Sequence, residues 1–489
     1  MNTSIHESSV IKDLDFFNKK YGSNEKNIAD GSYGEVVKTE NNFAVKKSEF
    51  ENFLYIINEI NILRYLNHPN IIELLAVTKT DLTINMAMPL AEKTYNNKSS
   101  NIFSRKWIFY QILKGLEYCH GKYIWHRDIK PGNILLFKGI SDDKPIAKIC
   151  DFGISKLYAH KYSDNIINVV SSPYRCPELL LEDEQYNELI DIWSVGVMLF
   201  ENITNVEFSH KNINDFFFTK IGLLKRFKKN ITKKDYQLKV ILDILGKPNI
   251  SKEEDIIKIN EIEKIESSGF YKLKNCLKSD LCDPWMATLN DSSSDESDIP
   301  LPSKEKWKND SNKQEYEFLK KILAWKEKRI SSKKSLLDPY FDDVRNIIEK
   351  EILFPATEKN ESKLGDKNTI IINKNLKMDI NERERIFSEL FAMTPKVYTI
   401  MFSSYFLFDY ISSKMDFKII SMKELLSILY SIIGSIYPDE YYEDFNIDRE
   451  ITMKEKWDIL KIIDFNIVYK PYFIPIGLKL TERFINKSI

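Results

Sequence analysis

Short runs of alternating apolar and polar residues fill the chain from Ile28 to Met88. One stretch breaks them, in which Phe53, Ile56, Ile57, Ile60, Leu63 and Leu66 recur at helical spacing. That pattern predicts a sheet carrying one helix. Residues 102–120 read as a strong helix, and helical periodicity predominates from about 187 to 345. A small β-rich lobe therefore precedes a larger α-rich one, and the fold class of this part is α+β. Ahead of it, residues 1–21 are polar apart from Ile11, Leu14, Phe16 and Phe17, and predict a flexible leader or a strap over the first sheet.

Two polar breaks divide the rest. Residues 290–312 (NDSSSDESDIPLPSKEKWKNDSN) lack the apolar surface to offset the entropy of ordering them and predict a disordered insert. Residues 357–368 (TEKNESKLGDKN) are equally polar and lie within a predicted linker, 346–380. From there to Ile489 dense helical patterning returns in four segments, Ile386–Tyr398, Ile400–Ser412, Met422–Ile436 and Met453–Ile463, which predict an all-α domain over 381–489.

Composition narrows the classes. The 489 residues are 43% hydrophobic and 12% aromatic, so the chain is mainly globular. Lys and Arg number 71 against 72 Asp and Glu, a net charge of -1 that supplies no global field for nucleic acid or an anionic membrane. Neither partner is expected. Five cysteines, Cys119, Cys150, Cys176, Cys276 and Cys282, form no C-x-x-C pair and read as reduced thiols of a soluble cytoplasmic or nuclear protein. The first residues lack the order of a secretory signal, and no window holds about 18 uninterrupted apolar residues.

Candidate chemistry begins with Ala29-Asp30-Gly31-Ser32-Tyr33-Gly34-Glu35-Val36 between two strand-like runs, where glycines let backbone N–H groups approach phosphate oxygens. On its own a Gly-x-x-Gly turn is a weak signal. Phe43-Ala44-Val45-Lys46 follows, a strand lysine suited to the α- and β-phosphates. The decisive pair is His126-Arg127-Asp128-Ile129-Lys130-Pro131-Gly132-Asn133 and Lys148-Ile149-Cys150-Asp151-Phe152-Gly153. In-line phosphoryl transfer needs a carboxylate to orient the acceptor hydroxyl (Asp128), a lysine for the γ-phosphate charge (Lys130), and an amide and a second carboxylate to hold Mg²⁺ (Asn133, Asp151).

On these motifs residues 22–345 resemble a eukaryotic-type protein kinase domain, with the bilobal kinase fold, ATP and Mg²⁺ as the implied cofactors and protein Ser/Thr hydroxyls as the implied substrates. The resemblance makes Glu59 the helix carboxylate that pairs with Lys46. It makes Glu178 of Cys176-Pro177-Glu178 the partner of Arg329, and Asp191 the clamp on the catalytic-loop backbone. The motifs Tyr110–His120, Val169-Val170-Ser171, Tyr174-Arg175 and Ile244–Pro248 are similar to those of the cyclin-dependent kinases and their proline-directed relatives, and Lys130 is similar to that of the Ser/Thr-specific class. Ile28, Val36, Ala44, Met86, Met88 and Leu135 are then implied as the adenine pocket. Ser32 and Tyr33 match a pair that such kinases use for inhibitory phosphorylation.

Within the C-terminal helices, Phe387–Phe391, Val397–Tyr410, Ser431–Pro438 and Ile459–Ile467 resemble a cyclin box, although its usual internal ion pair is missing at Ile432 and Lys456. A helical bundle docked on the large lobe fits the same pattern. The cyclin resemblance implies one polypeptide carrying a kinase and its activator. The rival reading is a pseudokinase scaffold whose cyclin-like domain recruits or sequesters partners, but Lys46, Glu59, Asp128, Asn133 and Asp151 are all retained. A small-molecule kinase is disfavoured by Val169–Glu178, which looks like a protein-substrate platform. Finally, the activation-segment threonine of the related kinases is replaced by Ile166, and of the three arginines that grip its phosphate only Arg127 remains, with Asn58 and Lys156 at the other positions.

Overall fold

The computed structural model describes residues 11–23, 25–31, 34–96, 101–139, 141, 144–157, 169–204, 233–245, 257–260 and 310–352. The chain enters with α1 (Leu14–Tyr21), which lays Phe17 and Tyr21 into a cluster with Val37, Val45, Ala76 and Ala87. Ile11 bridges Val77, and Lys12 N–H donates to Val77 O at 2.9 Å, so the segment straps the sheet.

Five antiparallel strands form that sheet: β1 (Glu25–Gly31), β2 (Gly34–Thr39), β3 (Phe43–Glu49), β4 (Ala76–Lys79) and β5 (Thr83–Pro89), in the spatial order β1-β2-β3-β5-β4. Gly34 turns β1 into β2 at φ 148°, and a Cβ there would lie 2.1 Å from Lys47 O, so only glycine fits. Helix α2 (Phe53–Tyr65) carries apolar residues at both i+3 and i+4 steps and buries Ile56, Ile57, Ile60 and Leu63. These two elements make the small lobe that the alternating pattern predicts.

The large lobe is built around α3 (Ile102–Gly121) and α5 (Leu189–Thr204). Asn101 caps α3 by accepting Ser104 N–H at 2.8 Å. Core residues surround α3 on most sides, from Trp107 through Cys119, which marks it as a central helix. Two small sheets flank it, one ordered β6 (Lys93–Thr94), β8 (Ile134–Phe137), β9 (Ile146–Ile149), the other pairing β7 (Ile124–Trp125) with β10 (Lys156–Leu157). Helix α4 (Pro177–Leu180) is followed by α5 and then by α6 (Lys233–Leu245), which packs on α4. Helix α7 (Asp310–Ile322) packs on α5, and α8 (Ser332–Leu336) and α9 (Asp342–Glu351) pack on α3. A Cβ on Gly196 of α5 would lie 2.8 Å from Leu323 Cδ2, so this close approach depends on glycine.

Buried charges hold the large lobe in register. Arg329 donates to both oxygens of Glu178 at 2.6 and 3.0 Å, as the resemblance implies. Arg105 makes a second bidentate pair with Glu315 at 3.0 and 2.9 Å, to which the Tyr340 hydroxyl donates at 2.6 Å. The second pair has no motif behind it.

Two boundaries differ from the sequence reading. Helix α7 starts at Asp310, so the last three residues of the expected disordered insert 290–312 are helical; Asp-Ser-Asn is polar yet suits a helix start. Helix α9 runs to Glu351 with Ile348 and Ile352 buried, so residues 346–352 belong to the large lobe and not to the linker 346–380. Residues 381–489, expected to form a cyclin-like domain, and Ser32, Tyr33 and Ile166 lie outside the described residues. Among the described residues, no helix is long and apolar enough to cross a membrane.

Candidate active site

Period-two geometry brings the first group together. Val36 and Met86 both pair with Lys46, and Met88 pairs with Ala44, so these five side chains share one face of the sheet. Met86 and Ala44 are buried, and Val36 and Leu135 of β8 are half-buried. Ile28 stands apart: it falls at an irregularity between Asn27 and Ala29 and is 47% exposed. Ala29, Asp30 and Gly31 finish β1, where Asp30 accepts from Asn27 Nδ2 at 2.9 Å and pairs with Glu35 of β2.

Lys46 joins the two lobes. Its Nζ donates to Glu59 of α2 at 2.7 Å and to Asp151 at 3.0 Å. Burial disfavours the ammonium, but the carboxylates of Glu59 and Asp151 outweigh it and hold the lysine above its ordinary value. Burial likewise disfavours the Asp151 carboxylate, and Lys46 overcomes it, so Asp151 is held below the usual carboxylate range. Asp151 sits at φ 66°, a left-handed conformation that few aspartates adopt. Phe152 beside it is fully buried against the His126 ring, centroids 4.7 Å apart. Among the free thiols, burial pushes Cys119, Cys150 and Cys176 up, so they stay protonated.

The catalytic-loop candidates are held from below. Asp191 at the start of α5 accepts the backbone N–H groups of His126 at 2.9 Å and Arg127 at 2.8 Å, and the His120 ring lies 2.9 Å from the same carboxylate. Although burial opposes its charge, these hydrogen bonds hold Asp191 below the usual range. Asp128 then accepts from Lys130 Nζ at 2.6 Å and from Asn133 Nδ2 at 3.1 Å. Asn133 also donates to Asp128 O at 2.8 Å, committing its amide nitrogen to the loop.

Two contacts go beyond what the sequence implied for their residues. Ser171 donates its hydroxyl to Asp128 Oδ1 at 2.7 Å and its N–H to the same oxygen at 3.0 Å, while Lys130 donates to Ser171 Oγ at 3.0 Å. Asn58 on α2 donates its amide to Gly153 O at 2.9 Å and Ser155 O at 2.8 Å. Ser171 stands in the Val169-Val170-Ser171 motif and Asn58 at a position where the resemblance implies an arginine, but neither contact partner is marked locally.

The protein kinase domain family has a sequence model that matches residues 23–341. The chain belongs to the protein kinase family. Among curated proteins, this kinase is 37% identical over 187 residues to a probable serine/threonine-protein kinase MRK1 homolog of Encephalitozoon cuniculi (strain GB-M1), a match covering 36% of the chain and 57% of the relative. It is 32% identical over 233 residues to cyclin-dependent kinase E-1 of Arabidopsis thaliana, covering 44% of the chain and 47% of the relative. A third match, to probable cyclin-dependent kinase 8 of Dictyostelium discoideum, is 28% identical over 359 residues and covers 67% and 83%. The kinase thus spans about half the length of the first two relatives. The kinase domain itself implies ATP and a divalent cation, and its two lobes are those of the bilobal α+β kinase fold.

Proposed function

We propose that the chain is an active Ser/Thr protein kinase that transfers the γ-phosphate of ATP to protein hydroxyls next to proline. The observation that carries this reading is the Lys46 bridge between Glu59 and Asp151, which sets α2, β3 and the Asp151 segment in a working arrangement. The retained bridge disfavours the scaffold reading.

The donors suit Mg²⁺, a hard cation that takes oxygen ligands and shares its shell with substrate phosphates. Asp151 offers a carboxylate that is 29% exposed, and Asn133, with its nitrogen engaged, has its amide oxygen for the ion. When bound, the metal neutralises charge on the phosphates. In this reading Lys46 holds the α- and β-phosphates, and Ala29 through Val36 cover them. Val36, Ala44, Met86, Met88 and Leu135, with Ile28 at the rim, bound the adenine. Asp128 orients the acceptor hydroxyl, and Lys130 balances charge on the transferred group.

Support for proline comes from Val170, a β-branched residue at φ 64°. Arg175 Nε donates to Val169 O at 3.1 Å and to Val170 O at 2.9 Å, which occupies both carbonyls of this platform. A residue with an N–H would have to share these acceptors with Arg175, whereas proline brings no N–H to satisfy. Regulation in this reading comes from residues 381–489 as a cyclin-like domain acting in cis on α2. Its support is the helical pattern and the cyclin-dependent kinase names of two relatives. The substrate class is tested by incubating the full chain with MgATP and a peptide array varied at the acceptor and at the following residue. Ser-Pro and Thr-Pro peptides should be phosphorylated over Ser-Ala by roughly tenfold, with Tyr peptides silent. Equal labelling of Ser-Ala would remove the proline assignment, and Tyr labelling the Ser/Thr one.

A further inference from the structure

We propose that Asn58 is a positioning residue that holds the working arrangement of the site without a phosphorylated activation segment. It does so by tying α2 to the backbone just after Asp151. Asn58 is 1% exposed and donates Nδ2 to Gly153 O at 2.9 Å, Ser155 O at 2.8 Å and, at 3.4 Å, Phe152 O. The remaining carbonyl of that stretch, Ile154 O, accepts from Arg127 Nε at 2.8 Å. Three consecutive carbonyls, residues 153–155, are therefore taken by one side chain from α2 and one from the catalytic loop, while Phe152 O accepts Ser155 N–H at 3.1 Å.

Consecutive helix residues point about 100° apart. Glu59 can reach Lys46 on one side while Asn58 reaches the Asp151 segment on another, so the two contacts fix the rotation of α2 as well as its distance. Swinging α2 outward would break the Lys46–Glu59 pair and the Asn58 bonds together. The amide orientation is determined, because the reversed amide would set its oxygen against three carbonyl oxygens. These bonds join neutral groups and need no countercharge to hold.

The proposal rests on the kinase reading, and the test separates the two. Full-length chain is treated with phosphatase, shown by intact mass to carry no phosphate, and assayed for kcat and KM beside Asn58→Leu, Asn58→Asp and Asn58→Gln. Leu and Asp should lower kcat by roughly tenfold or more, Asp at least as much because its carboxylate meets carbonyl oxygens, and Gln, which keeps the donor, should recover part of the loss. The wild type should be indifferent to phosphatase. An Asn58→Leu kcat within about twofold of wild type overturns the proposal; so does wild-type activity lost on dephosphorylation. Should the variants not fold, hydrogen exchange on the wild type decides: α2 and residues 152–155 should open together, and independent opening overturns the tie. A wild type that binds MgATP but fails to transfer, or binds none, overturns the kinase reading and this proposal with it.

Discussion

His68 shows how one side chain couples the turn after α2 to acid stability. Its Nδ1 accepts Asn70 N–H at 3.1 Å, and its ring stacks on Tyr118, centroids 4.9 Å apart. Burial first, then Lys114 and Lys148, lower its pKa to about 3. The folded state therefore keeps His68 neutral while the unfolded chain takes up a proton below about pH 6.5, and stability falls as pH drops through that window, by up to about 1.4 kcal/mol per unit from this group. In His68→Asn an acceptor remains two residues before the Asn70 N–H and nothing titrates, so its unfolding free energy between about pH 7 and about pH 5 should fall less steeply than wild type. Parallel slopes would contradict the assignment. Legibility in the sequence varied just as sharply at this scale. Asp128, Lys130 and Asn133 could be read because their chemistry fixes their spacing within one loop. The contact of Asp128 with Ser171 could not, since that residue lies 43 positions away.

At the scale of elements, α1 is the part that periodicity undervalued. Its apolar residues are few, so the leader-or-strap ambiguity stood, yet the Phe17 and Tyr21 rings meet at a tilt, centroids 5.0 Å apart, and Tyr21 meets the Phe43 ring edge-on at 5.0 Å. The Thr39 hydroxyl adds a short hydrogen bond to Tyr21 O. Phe17, 2% exposed, should cost about 3–5 kcal/mol when replaced by Ala, measured by denaturant unfolding. Leu14→Ala, at a site 39% exposed, should stay within about 0.5 kcal/mol. Similar losses at both positions would mean that α1 does not pack as described. Strands β1 to β5 and helices α2, α3 and α5 were legible because their apolar periods are sustained. The ends of α7 and α9 were not, because Asp310-Ser311-Asn312 reads equally as coil or helix start, and the apolar Ile348 and Ile352 stand in a charged stretch.

Across the whole molecule, the two lobes meet through backbone pairing as well as through Lys46. Ile149 N–H donates to Asn70 O and Ile72 N–H to Ile149 O, both at 2.9 Å, placing the Asp151 segment next to the loop that leaves α2. If residues 381–489 act in cis on α2, residues 1–352 alone should transfer phosphate at least about tenfold more slowly than the full chain, because a tethered activator works at an effective concentration near the millimolar range. Equal rates would contradict that role while leaving the kinase assignment intact. That assignment is tested most directly by Asp128→Asn in the full chain, with phosphoryl transfer and MgATP affinity measured on the same preparation. Transfer should fall by about a hundredfold or more while nucleotide affinity stays within about threefold, because the acceptor-orienting carboxylate is lost and no nucleotide contact with it. Undiminished transfer by Asp128→Asn would contradict the account.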